Sequence, residues 1–225
     1  MARANHFRPP WRQRIAAAAA ARLRWQCVLL CLVALNGCAD NASGAGRDSE
    51  AQVWVGEVAG SDVAVGIVAS AQRSTLFFCG GDSTYPDHTH WFLHQGPLSQ
   101  TAPLEDGRFR VTLSAVGERV EGNLEIEGFD SASFSTELVK PRSLAGVYDA
   151  LVPCGHAGLI VRQSAGSAAP AAQGTCVTTI LGDTVVEQVN PVMPVALGAD
   201  SGISASTSDA PSEMFTLRPL VLAGN

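Results

Sequence analysis

Residues 108–127 read RFRVTLSAVGERVEGNLEIE, and their alternation decides the fold. Phe109, Val111 and Leu113 fall on one side of an extended chain, while Arg108, Arg110, Thr112 and Ser114 fall on the other. Gly117-Glu118 turns the chain. Val120, Leu124 and Ile126 then face in, and Arg119, Glu121, Asn123, Glu125 and Glu127 face out. Successive side chains of a strand point to opposite faces, so a period of two with one charged face predicts an antiparallel pair, dry on one side and wet on the other.

The same reading extends in both directions. Upstream, 53–59 (VWVGEVA), 63–69 (VAVGIVA) and 75–79 (TLFFC) are three short β-rich runs separated by turn residues such as Gly60-Ser61-Asp62. Downstream, 132–139, 146–152, 158–162, 175–181 and 184–189 repeat the pattern, with a low-complexity loop at 164–173 (SAGSAAPAAQ) between them. No helical stripe with caps stands out after residue 38. Roughly ten short strands at hairpin spacing predict an all-β fold: a single antiparallel meander, small and barrel-like or a sandwich. The barrel is preferred, because closure removes the edges that a sheet otherwise exposes. The expected organisation is a leader over 1–37, a flexible tether over 38–52, a β-rich domain over 53–190, and a Pro/Ala/Ser-rich C-terminal segment over 191–225 with room for one last strand at 214–217.

The leader has its own physical signature. Arg3, Arg8, Arg12, Arg14, Arg22 and Arg24 make a positive start with no acid to offset them, and 27–35 (CVLLCLVAL) is an apolar run. That run is far shorter than the roughly 20 residues a membrane span needs, so it reads as a signal segment. It ends in Leu35-Asn36-Gly37-Cys38, which resembles the cleavage box of bacterial lipoproteins, although Asn36 departs from the small or β-branched residue usual there. The resemblance implies cleavage before Cys38, acylation of Cys38, and a protein held in the cell envelope by lipid. Ala39 in the following position implies the outer membrane. An ordinary secretory signal is the competing reading.

Loss of the leader would leave 9 basic against 21 acidic residues, a formal net charge of −12, with Lys140 as the single lysine. So acidic a surface repels phosphate backbones and anionic head groups alike. No nucleic acid partner is expected, and membrane attachment would come through the lipid anchor alone. The ordered set FFCGG (77–81), Trp91-Phe92, RVTLSAVGERVEGNLEI (110–126), FSTEL (134–138) and AGVYDA (145–150) resembles a class of secreted bacterial β-rich domains. That class carries no assigned activity, so the likeness implies fold and location only.

Chemistry-bearing residues are few. Beyond Cys38 the chain has Cys79, Cys154 and Cys176. Export permits disulfides, and Cys154–Cys176 is the expected bridge, because a hairpin through 158–162 would bring the two together; Cys79–Cys154 is the competing pairing. Cys79 would then pack as a small hydrophobe. His88, His90 and His94 lie in 87–94 (DHTHWFLH). On a strand they would share a face, a spacing that suits zinc or copper. Yet His94 would stand roughly 13 Å from His90 on an extended chain, so no tightly bound metal and no cofactor are expected. Gly81-Asp82-Ser83 and Gly198-Ala199-Asp200-Ser201-Gly202 resemble nucleophile motifs of hydrolases, but neither has its partner motif. No catalytic residue is assigned. Trp54, Phe77, Phe78, Trp91 and Phe92 could fill a barrel or line one. The expected function is a non-enzymatic binding or interaction module whose protein or small-molecule partner the sequence does not name. The alternatives are a metal-binding envelope protein using His88–His94 and, third, an exported hydrolase.

Overall fold

A computed structural model describes residues 51–98, 103–163, 167 and 169–222. They belong to one compact unit. Cys38 and the leader lie outside the described residues. The fold is all-β and antiparallel, and the meander is laid out as two barrels side by side.

The first barrel takes eight strands: β1 (Gln52–Val58), β2 (Ala64–Ala69), β3 (Arg73–Cys79), β4 (His90–Gln95), β5 (Leu104–Asp106), β6 (Phe109–Val116), β7 (Arg119–Ile126) and β8 (Ala132–Leu138). Each pairs with its chain neighbour except β4 with β5, and β8 returns to pair with β1. The sheet therefore comes round almost to closure, open only along the β4–β5 seam. The alternation of 108–127 is realised residue for residue. Phe109 pairs Ile126 and Val111 pairs Leu124 across β6 and β7, and Gly117 takes a left-handed φ of 62° in the two-residue turn between them, a conformation that glycine adopts without steric cost.

The second barrel is closed by six strands: β9 (Gly146–Val152), β10 (Gly155–Arg162), β11 (Ala171–Ile180), β12 (Asp183–Pro191), β13 (Ile203–Thr207) and β14 (Phe215–Pro219). Its closure needs the segment beyond residue 191, expected to hold at most one strand; it holds β13 and β14, and β14 pairs back onto β9 through Arg218–Asp149 and Pro219–Tyr148. Ala171–Gln173, read as loop, begins β11, since it pairs with Ile160–Arg162. Serine- and alanine-rich strands are short of the β-branched residues that announce a strand, and pairing partners supply what propensity lacks.

Both interiors are filled by side chains. Trp54, Ile67, Leu76, Phe78, Phe92 and Phe134 head the core of the first barrel, and Tyr148, Leu159, Val161, Ile203 and Leu217 that of the second. Phe78 meets Phe134 edge-on with centroids 5.5 Å apart, a favourable aromatic geometry. Eight strands enclose a space just wide enough for side chains to occupy. Thr136, wholly buried in the first interior, donates to the Val120 carbonyl at 2.9 Å.

A third core joins the barrels. Val55, Ala64, Val68, Phe77 and Cys79 on the outer face of β1–β3 pack against Val147 and Ile160 on the outer face of β9–β10. β2 and β3 are thus buried on both faces, which is why 63–69 and 75–79 read as continuous apolar runs without alternation. Two glycines permit the approach. A Cβ on Gly158 would lie 2.4 Å from Trp91 and 2.6 Å from Phe77, and one on Gly66 would lie 2.5 Å from Val147.

Candidate functional site

The residues singled out by the sequence do not converge. Pro86 lies in the first turn of a short helix, α1 (Tyr85–His88), where its missing N–H costs nothing. α1 takes His88 off the strand, so the expected shared face holds only for His90, Phe92 and His94. His88 meets the Phe129 ring edge-on at 4.7 Å. His90 stacks on Phe109 at 4.3 Å, and its Nε2 lies 3.3 Å from Asp106 Oδ2 across the seam, without the alignment of a hydrogen bond. His94 pairs with Ser74 in the β3–β4 register, and its ring sits beside Gly96. Among the described residues no three His, Cys, Asp or Glu side chains come close enough to hold a metal ion.

The serine motifs are tied into local structure. The Ser83 hydroxyl donates to Asp62 Oδ2 at 2.6 Å, and Thr84 donates to the other carboxylate oxygen. Burial raises the Asp62 carboxyl, but these hydrogen bonds outweigh it and hold the group below its ordinary range. The side-chain amide of Gln173 donates to the Asp62 and Cys79 carbonyls, and that of Gln188 to Asp82 Oδ1 at 2.8 Å. The Gly81–Thr84 loop is therefore a polar clasp between the two barrels. Asp200 accepts from the Gly202 amide at 3.2 Å and faces Arg218 at 3.5 Å, while Ser201 takes a φ of 61° in the same turn. Neither motif presents a serine to an imidazole.

Cys154 and Cys176 form a disulfide with Cα atoms 6.1 Å apart. It ties the β9–β10 turn to β11, with Cys176 inside the second barrel. Cys79 is a free, buried thiol at the joint between the barrels, 3.6 Å from Thr175 Oγ1, and burial pushes its pKa up to about 12. A thiol so poised is unreactive. Trp91 lies between Phe77 and His156, with ring centroids 3.9 and 4.3 Å away, and His156 Nε2 pairs with Asp149 at 3.2 Å. These rings brace the joint.

What remains open is outside the barrels. A groove of about 1340 Å³ runs over the outer face of β6, β7, β8 and β1 and is walled by the second barrel and its connection. The strand registers arrange its floor in cross-strand rows. One row is Thr112, Asn123 and Ser133; the next is Ser114, Glu121, Ser135 and Glu57; the third brings together Arg119 and Glu137. Arg119 pairs with Glu137 at 3.4 Å, and Arg162 reaches from β10 to Glu57 at 2.5 Å. Six charged residues line the groove, three acidic (Glu57, Glu121, Glu137) and three basic (Arg119, Lys140, Arg162). The acidic chain thus carries a locally neutral, hydrogen-bonding trough. The sequence had already marked Thr112, Ser114, Arg119, Glu121 and Asn123 as a wet face. It gave no sign that Arg162 would wall them in, because that contact spans 105 residues.

Comparison of the chain with protein-family models, with characterised proteins and with solved structures gives no match.

Proposed function

We propose that this protein is a non-enzymatic binding module of the cell envelope, anchored by lipid at Cys38, and that it binds its partner in the groove between the barrels. The observation that carries the binding reading is the contrast between two filled interiors and a large lined groove outside them. A carrier of the usual barrel type holds its ligand inside, and here aromatic and aliphatic side chains occupy that space. The engagement of Ser83 by Asp62 and the place of Ser201 in the Asp200–Gly202 turn favour the binding reading over the hydrolase one. The dispersal of His88, His90 and His94 to separate partners speaks against the metal reading. The anchor rests on the leader sequence: the arginine-rich start, the apolar run and Leu35-Asn36-Gly37-Cys38.

Two experiments test the two halves. Mass spectrometry of the N-terminal peptide should find an acylated Cys38, and Cys38→Ser should abolish it; an unmodified terminus beginning elsewhere would remove the anchor. A photoreactive side chain at Ser135, on the groove floor, should form a discrete adduct in intact cells, while the same group at Thr184, on the exposed end of β12, should not. Equal labelling at both positions, or none at Ser135, would remove the groove as the binding face.

A further inference from the structure

The groove's chemistry narrows the class of ligand; this step rests on the groove being the binding face. We infer that the ligand is a neutral, polyhydroxylated chain, an uncharged oligosaccharide, lying across the strands of the groove floor.

The argument begins with what the floor lacks. β1, β7 and β8 are paired on both sides over their floor residues, and β6 is paired there on its β7 side, so the one backbone edge is at the margin of the floor, along β6 beyond Val111 where β5 ends, and none lies within it. Peptide recognition by strand addition needs such an edge, and helix docking needs an apolar trench. The outward floor side chains are Thr112, Ser114, Glu121, Asn123, Ser133 and Ser135, with Glu57, Arg119 and Glu137 beside the buried Val55, which make no apolar trench. A lipid or aromatic ligand meets the same objection. An anionic chain would enter a trough whose two arginines are already committed, Arg119 to Glu137 and Arg162 to Glu57, and whose third cation, Lys140, is matched in charge by Glu121. It would also approach against the negative charge of the rest of the chain.

What the floor offers is hydrogen bonding at regular intervals. Neighbouring strands stand about 4.8 Å apart, and alternate residues along a strand about 6.8 Å apart. A ligand lying along the row Ser114–Glu121–Ser135–Glu57 therefore meets a new polar group at every strand. Hydroxyls both donate and accept, as do serine and threonine, while carboxylates accept and amides do both. A chain of hydroxyls satisfies this mixture without bringing a net charge that the neutral trough would have to balance. The outward floor carries no aromatic platform, so binding would rest on hydrogen bonds, each of modest net worth, and would be weak for a single short chain.

The test is titration of the purified full-length protein with short neutral glucose and N-acetylglucosamine oligomers, with uronic-acid oligomers of the same length as charged controls. At least one neutral oligomer should bind saturably and more tightly than its charged counterpart. Glu121→Ala with Asn123→Ala should weaken that binding about tenfold or more, while leaving the unfolding midpoint in place because both side chains are exposed. Ser135→Trp, which fills the trough, is the second variant and should abolish binding. Failure of every neutral oligomer, tighter binding of the uronic acids, or binding untouched by both variants would overturn the inference. Failure here with a persistent adduct at Ser135 would reject the saccharide and keep the groove; loss of both would reject the groove itself.

Discussion

The two barrels solve the same problem in opposite ways. The six-stranded barrel closes by backbone pairing all round and is tied at one end by Cys154–Cys176. The eight-stranded barrel has no disulfide among its described residues and leaves β4 and β5 unpaired with each other, bridging the gap with the His90 ring against Phe109 and Asp106. The first device is covalent and indifferent to mild acid. The second depends on a neutral, largely buried imidazole. What makes them one protein is the third core, where Phe77 and Cys79 from one barrel meet Val147 and Ile160 from the other. That joint costs β2 and β3 their alternation, since they must be apolar on both faces.

The largest expected effect comes from breaking the joint. Phe77→Ala removes a wholly buried ring from between the barrels and should cost about 4 kcal/mol. Urea unfolding should still show one transition, shifted as a whole. Two separated transitions would mean that the barrels are independent.

Next is the staple. Replacing Cys154 and Cys176 together by alanine opens a loop with a sequence separation of 22 and should cost roughly 3 kcal/mol. The loss should appear first in the second barrel, as faster amide exchange in β11. An unchanged unfolding midpoint would show that backbone closure alone suffices there.

The comparison also explains how much was legible in advance. Phe109 to Ile126 gave its hairpin, register and faces directly, because one side of that sheet is wet and periodicity survives. Trp54, Phe77 and Phe78 were visible as aromatic, but their division between an interior and a joint was not, since a run buried on both faces has no period. Ile203–Thr207 went unread because Ser and Ala carry little strand preference; its partners β12 and β14 hold it. The bridge Cys154–Cys176 was legible from spacing, and Cys79 from its apolar neighbours. The histidines were not, because Pro86 begins a helical turn that takes His88 out of the strand. The groove was half legible: its floor is the wet face of β6 and β7, but its wall is tertiary.

The seam should show itself in pH dependence. Burial pushes the His90 imidazole below its ordinary value, Arg108 adds to this, and Asp106 offsets it only in part. The unfolded chain then binds more protons than the folded one as pH falls below about 6.5, so this contribution to stability is full above that range and declines beneath it. Denaturation at pH 7.5 and 5.0 should register the decline, and His90→Phe, which keeps a ring against Phe109, should flatten it. An identical slope in the variant would assign the acid sensitivity elsewhere.

The smallest effect belongs to the groove wall. Arg162→Ala breaks the contact with Glu57, a residue whose side chain is 70% exposed, and exposed pairs contribute about 0.5 kcal/mol or less. Stability should barely change. A loss comparable to that of Phe77→Ala would make this pair part of the joint instead of the binding face.

Residue-resolved native-state hydrogen exchange in low urea tests the shared joint most directly. Amides of β2 and β3 in the first barrel and of β10 in the second should open together, at the global unfolding free energy, while those of β4 and β5 beside the seam should open earlier. Two distinct global limits, one for each barrel, would contradict the account.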